Sequence, residues 1–88
     1  KKYYEKCLDI SGNQQLFFKF YSQFPISFNL HYHEEGEVFY EIKEESVAEY
    51  NYTFKPENRA YYCLMWGNPG QEKVEIKYEL KIQSRYSN

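Results

Sequence analysis

Tyr61-Tyr62-Cys63-Leu64-Met65-Trp66-Gly67-Asn68 is the stretch whose reading decides the fold. Residues 61–66 carry five large apolar or aromatic side chains, including the only tryptophan and the only methionine, together with one of the two cysteines. Successive side chains of a strand point to opposite faces, so Tyr62, Leu64 and Trp66 share one face and Tyr61, Cys63 and Met65 the other. Both faces are apolar, which predicts a strand in the middle of its sheet. The turn signal Gly67-Asn68-Pro69-Gly70 closes it.

Outward from this strand the same period of two recurs. Tyr4, Lys6, Leu8 and Ile10 alternate with Tyr3, Glu5, Cys7 and Asp9 up to Ser11-Gly12-Asn13. From Gln15 to Ser22, Leu16, Phe18 and Phe20 alternate with Phe17, Lys19 and Tyr21. Pro25 has no N–H for a ladder and is expected to end that strand and start the next, Ile26 to His33. There Ile26, Phe28, Leu30 and Tyr32 form the apolar face, and Asn29, His31 and His33 the polar one. Glu34-Glu35-Gly36 predicts a tight hairpin into Glu37–Lys43, with Val38, Tyr40 and Ile42 inward. Val47–Phe54 turns Ala48, Tyr50, Tyr52 and Phe54 one way, and Glu72–Gln83 sets Val74, Ile76, Tyr78, Leu80 and Ile82 against a charged face. Ser84–Asn88 reads as a frayed end. No apolar period of 3.6 runs for two turns. The expectation is an all-β domain, an antiparallel β-sandwich of about seven strands.

Eighty-eight residues suffice for one domain, and a chain this short buries only about 60–65% of its unfolded surface. Its core must therefore be dense, and an aromatic content of 22% supplies rings for it. A net charge of −2 without a basic cluster argues against nucleic acid, whose phosphates require Lys/Arg-rich surfaces. No apolar run approaches the roughly 18 residues of a membrane span. The chain starts Lys1-Lys2-Tyr3, without an initiator methionine or a signal-peptide pattern, and reads as a mature or trimmed product. Cys7 and Cys63 are either one disulfide in an oxidising compartment or two buried thiols in a reducing one.

Chemistry is sparse. There is no phosphate loop, no nucleophile elbow and a single aspartate, Asp9, so no enzyme is expected. A cysteine in an apolar strand has a raised pKa and poor access, which disqualifies Cys63 as a nucleophile. His31 and His33 stand at i, i+2 on one strand face, a spacing that lets two imidazoles share a copper or zinc ion. Two ligands are too few; Glu34, Glu35, Cys63 or Met65 would have to complete the set, with Met65 the soft donor for copper. The alternative is that the histidines are solvated and Cys63 and Met65 fill a core. From Glu34 to Glu49 seven glutamates face one lysine, a pattern of solvated edges. Asn51-Tyr52-Thr53 matches the glycan acceptor triplet. Phe17, Tyr21, Phe39 and Tyr61 lie opposite the apolar faces, and an exposed patch of them would take a protein strand, a sugar or a lipid.

Tyr61, Cys63, Trp66, Asn68, Lys73 and Val74 stand in the order of a Tyr-x-Cys strand, an aromatic, an Asn, a brief loop and a Lys-Val strand. Ile26-Ser27-Phe28-Asn29-Leu30 precedes a Gly36-Glu37-Val38 hairpin. The two together resemble GOLD domains, the β-sandwich modules of early-secretory cargo receptors and some lipid-transfer proteins. The resemblance implies a jelly-roll-like sandwich and, as in the cargo-receptor branch, a disulfide from Cys63 to Cys7. It departs where Arg59-Ala60 replace the family's glycine. Phe28–His33 with Tyr62–Trp66 is also similar to small exported bacterial proteins of unassigned function. The function expected is an extracytoplasmic, periplasmic or secreted, binding module for a protein or peptide, with no obligate cofactor. A periplasmic copper or zinc carrier using His31, His33 and Met65, or a carbohydrate-binding module, is the alternative.

Overall fold

The computed structural model describes residues 2–85. They form five antiparallel strands in one sheet: β1 Lys2–Ile10, β2 Gln14–Glu34, β3 Glu37–Phe54, β4 Ala60–Asn68 and β5 Ile76–Ser84. No helix occurs among the described residues, and so none that is long and apolar enough to cross a membrane.

The seven segments expected from periodicity are these five because two pairs of them are continuous. Gln15–Ser22 and Ile26–His33 are the halves of β2, and Glu37–Lys43 and Val47–Phe54 the halves of β3. Pro25 does not end the strand, because it falls where β2 and β3 lose register between the Tyr21 and Ile26 pairs and no ladder bond to β3 is required of it. Ser22, fully buried, donates from Oγ to the carbonyl of Phe24 at 2.6 Å and holds this bend. At the far end Glu35 (φ 51°) and Gly36 (φ 81°) form a two-residue turn with both residues left-handed, as a tight hairpin of right-twisted strands requires.

β2 is the spine. Its first half pairs with β5 on one side and β3 on the other; its second half pairs with β4 and β3, and β4 carries β1. The bend brings the even-numbered faces of the two halves together: Phe20 lies 4.7 Å from Phe28 and Phe18 lies 5.5 Å from it, between ring centroids. Trp66 of β4 meets Phe20 edge-on at 5.8 Å and stacks on Tyr78 of β5 at 5.1 Å. Leu16, Ile26, Leu30 and Leu64, all fully buried, fill the remainder. This cluster of Phe18, Phe20, Phe28, Trp66 and Tyr78 is what a short chain needs to exclude water from a single core, with each ring pair adding about 0.5–1.5 kcal/mol beyond its burial.

β4 is central, between β1 and β2, with Tyr62, Leu64 and Trp66 buried against the core. The alternation of the hairpin tip is inverted relative to expectation. Leu30 pairs with Ile42 but His31 pairs with Tyr40, so Glu41 is an extra residue, and beyond it Val38 and Tyr40 turn outward, 43% and 49% exposed. Phe39 takes the inner position instead and stacks on Tyr32 at 5.3 Å. One inserted residue exchanges the faces of everything past it. Arg85 is tied down rather than frayed, donating to the carbonyls of Gly12 at 2.9 Å and Pro56 at 3.1 Å; residues 86–88 of the expected frayed end lie outside the described residues.

Candidate functional site

Cys7 and Cys63 are directly opposed in the β1/β4 register and are joined by a disulfide. The pairing implied by the resemblance is thus the one present, and it staples an edge strand to the centre of the sheet. On the other side of Cys63 stands His31, its partner in the β4/β2 register. Cys7, Cys63 and His31 therefore form one rung across three strands on the outer face. The neighbouring rung is Glu5, Met65 and Asn29.

The outer face was expected to leave His31 in solvent. Instead it is 3% exposed, because its face is crowded both by its own strand's Asn29 and His33 and by Glu5 and Tyr40, brought in from other strands. Nε2 lies 3.1 Å from Glu5 Oε2 and Nδ1 lies 2.6 Å from the Asn29 side-chain oxygen. His33 meets the ring edge-on at 5.3 Å and Tyr40 at 5.9 Å. Burial pushes the His31 pKa below its ordinary 6.5; Glu5 opposes the shift and His33 adds to it. The neutral imidazole then donates Nε2–H to the Glu5 carboxylate. It accepts at Nδ1 from Asn29 when the amide, whose orientation is assigned by its partners, presents its NH₂.

Of the predicted metal set, His31 and His33 are adjacent, with His33 exposed, while Met65 is half-buried in the next rung. Among the described residues the group of potential ligands that converges is a different one: Glu5, His31 and Cys63, whose ligand atoms lie within 4.8 Å of one another. Glu5 and Asn29 were not singled out by sequence reasoning. A Cys7–Cys63 pairing taken as opposed residues would have placed Glu5 on this face, two positions along the same strand.

The four aromatic residues expected to share a patch are divided among three places. Phe17 and Tyr21 are on the outer face of the first half of β2, beside Lys81 and Lys77 of β5. Tyr61, 67% exposed, is on the outer face of β4, and Phe39 belongs to the inner side of the hairpin tip. A fuller grouping surrounds β1. Tyr3 lies across Gly67, where a Cβ would collide with its ring and with Ser27 Oγ. Tyr4 stacks on Trp66 at 5.8 Å and its hydroxyl is 3.0 Å from that of Tyr78. Beside them a groove of about 640 Å³ is lined by Lys2, Tyr3, Tyr4, Trp66, Val74 and Ile76, among others. At the opposite end a more polar groove of about 670 Å³ runs over Tyr62, whose hydroxyl donates to the Asn58 carbonyl at 2.7 Å. Burial raises the pKa of that phenol, and Glu41, Tyr32 and Glu34 raise it further. Asp9 and Arg59 close the rim between β1 and the β3–β4 loop with two hydrogen bonds, 2.7 and 3.1 Å.

Comparison of this chain with protein-family models, with curated proteins and with solved structures finds no match.

Proposed function

We propose that this chain is a non-enzymatic, extracytoplasmic binding module of GOLD-like β-sandwich type, and that it takes a protein or peptide segment in extended form along the free edge of β1. The observation that carries the reading is that edge. Among the described residues β1 pairs with β4 alone, which leaves the other side of a nine-residue strand open to a further strand. Strand addition supplies main-chain hydrogen bonds for affinity and side-chain pockets for specificity. Here Tyr3 and Tyr4, 57% and 50% exposed, flank the edge on its two faces, and the groove over Trp66 opens beside it.

The composition of β1 favours a foreign strand over a second copy. Antiparallel pairing of two β1 strands about a two-fold axis opposes Lys6 with Lys6, or Glu5 with Glu5, when centred on either residue. Centred on Tyr4 it opposes Lys2 with Lys6, and centred on Cys7 it opposes Glu5 with Asp9. Like charges directly opposite are destabilising. The disulfide is consistent with an oxidising, extracytoplasmic compartment.

Selection of a random peptide library on the immobilised chain tests the proposal. Enriched peptides should alternate apolar and polar residues, shift the NMR resonances of β1, and lose at least about tenfold in affinity against Tyr3→Ser/Tyr4→Ser, the order expected for aromatic anchors. Peptides that bind the double variant unchanged, or whose shifts map to β3 or β5, would refute it.

A further inference from the structure

In the rung Cys7, Cys63, His31 and the adjacent Glu5, the Cys63 sulfur, the His31 imidazole and the Glu5 carboxylate have ligand atoms within 4.8 Å of one another, and the disulfide holds the Cys7 sulfur against that of Cys63. With the disulfide closed, neither sulfur is a thiolate and the cluster has only two good donors, His31 and Glu5. Their contact is already close to a coordination edge. Ligands about 2.0–2.1 Å from a tetrahedral zinc stand about 3.3 Å apart, and His31 Nε2 is 3.1 Å from Glu5 Oε2. A cation replacing the hydrogen bond between them needs a displacement of only a few tenths of an ångström. Cys63 and His31 are buried, while Cys7 and Glu5 are exposed, so the cluster has a closed inner side and an open entry.

We propose that the Cys7–Cys63 disulfide masks a zinc site, and that its reduction assembles a four-ligand centre from Cys7 Sγ, Cys63 Sγ, His31 and Glu5. This goes beyond strand recognition and does not depend on it. Two thiolates, one imidazole and one carboxylate are a borderline-soft donor set that suits Zn²⁺ and excludes Ca²⁺ and Mg²⁺, which take all-oxygen shells. The tautomer with its proton on Nδ1, facing the Asn29 side-chain oxygen at 2.6 Å, leaves the Nε2 lone pair on the Glu5 side for the metal.

The redox step balances with a dithiol as co-reactant. Its thiolate attacks the exposed Cys7 sulfur, the S–S bond breaks and Cys63 leaves as thiolate. The second thiol of the reductant then attacks the mixed disulfide and releases Cys7. The reductant is oxidised to its cyclic disulfide, and two electrons and two protons have passed to the protein. Zn²⁺ binding then releases to water the protons held by the two thiols; the Nε2 proton moves to Nδ1, which donates to the Asn29 side-chain oxygen 2.6 Å away, and the contact between Nε2 and Glu5 is exchanged for two metal bonds.

The test uses the full chain, oxidised or reduced with a thiol-free phosphine, and titrated anaerobically with Co²⁺ followed by Zn²⁺. The reduced protein should take one equivalent of Co²⁺ with a thiolate-to-cobalt charge-transfer band and the visible bands of a tetrahedral ion, and Zn²⁺ should displace it. The oxidised protein should show neither band. His31→Gln and Glu5→Gln should each weaken Zn²⁺ binding to the reduced chain by more than about a hundredfold, beyond the effect of losing a supporting hydrogen bond. Far-ultraviolet circular dichroism is followed in parallel: if reduction unfolds the chain, one equivalent of Zn²⁺ should restore the strand signal. A reduced chain without charge-transfer bands would overturn the proposal. So would spectra and affinities unchanged in both variants, or a strand signal lost on reduction and not recovered with zinc.

Discussion

Replacing both cysteines by alanine separates what the disulfide contributes from what packing contributes. The bond closes a loop spanning 56 positions, and in the chain-entropy treatment a loop of that length stabilises by about 4 kcal/mol at 25 °C. A domain of this size holds about 4–13 kcal/mol in all, so Cys7→Ala/Cys63→Ala removes a third or more of it. Little native packing is lost on the Cys7 side, which is exposed, and Cys63 gives up one sulfur at a site 5% exposed. In urea, with m of about 1–2 kcal/mol/M, the midpoint should fall by about 2–4 M. Because the effect acts through the unfolded chain, m should also rise as the unlinked coil expands. Amide exchange distinguishes this from a local effect. If the loss is global, the amides of β1 and β2 lose protection together; if β1 peels away from β4, its amides alone become fast. A midpoint shift below about 0.5 M, or a protection loss confined to Lys2–Ile10, would refute the loop-entropy account.

Leu64, fully buried in the core opposite Leu30, should cost about 2–5 kcal/mol as Leu64→Ala, read by urea unfolding, because a packed core relaxes only partly into the space left. Trp66 is 1% exposed and its Nε1 has no hydrogen-bond partner among the described residues, so Trp66→Phe removes an unpaired donor together with part of the ring. Its cost should stay under about 1.5 kcal/mol, against about 3–5 for Trp66→Ala, and equal losses in the two variants would contradict the unpaired state of that N–H. The depressed His31 pKa makes the unfolded chain the better proton binder below 6.5. Stability is therefore full above the unfolded value and declines as pH falls through it towards the folded one, at up to about 1.4 kcal/mol per pH unit. His31→Gln should flatten that decline in unfolding curves taken across pH 5–8, and an unchanged slope would remove His31 as its source.

Period-two alternation is a local property, and it was legible wherever the ladder is regular. Leu16, Phe18 and Phe20, then Ile26, Phe28 and Leu30, and the Tyr62, Leu64 and Trp66 face are all buried as read. The same pattern failed at Val38 and Tyr40, where one extra residue at Glu41 inverts the faces without leaving a trace in composition. It also divided β2 at Pro25, since a proline at a register shift looks in sequence like a proline between strands. The candidate site was half legible. The two cysteines and His31 could be named, but their meeting on one rung depends on which strands are neighbours.

Sequence alone determined the strand segments, the aromatic core and the Glu35-Gly36 hairpin turn, because each rests on the alternation of adjacent side chains or on the φ range of two residues. Tertiary structure alone decided that β1 lies against β4, that Cys63 separates Cys7 from His31, and that Glu5 closes on an imidazole 26 positions away. Strand order and register are set by which apolar faces meet when the sheet bends over itself, a choice made by all the strands together and written in none of them.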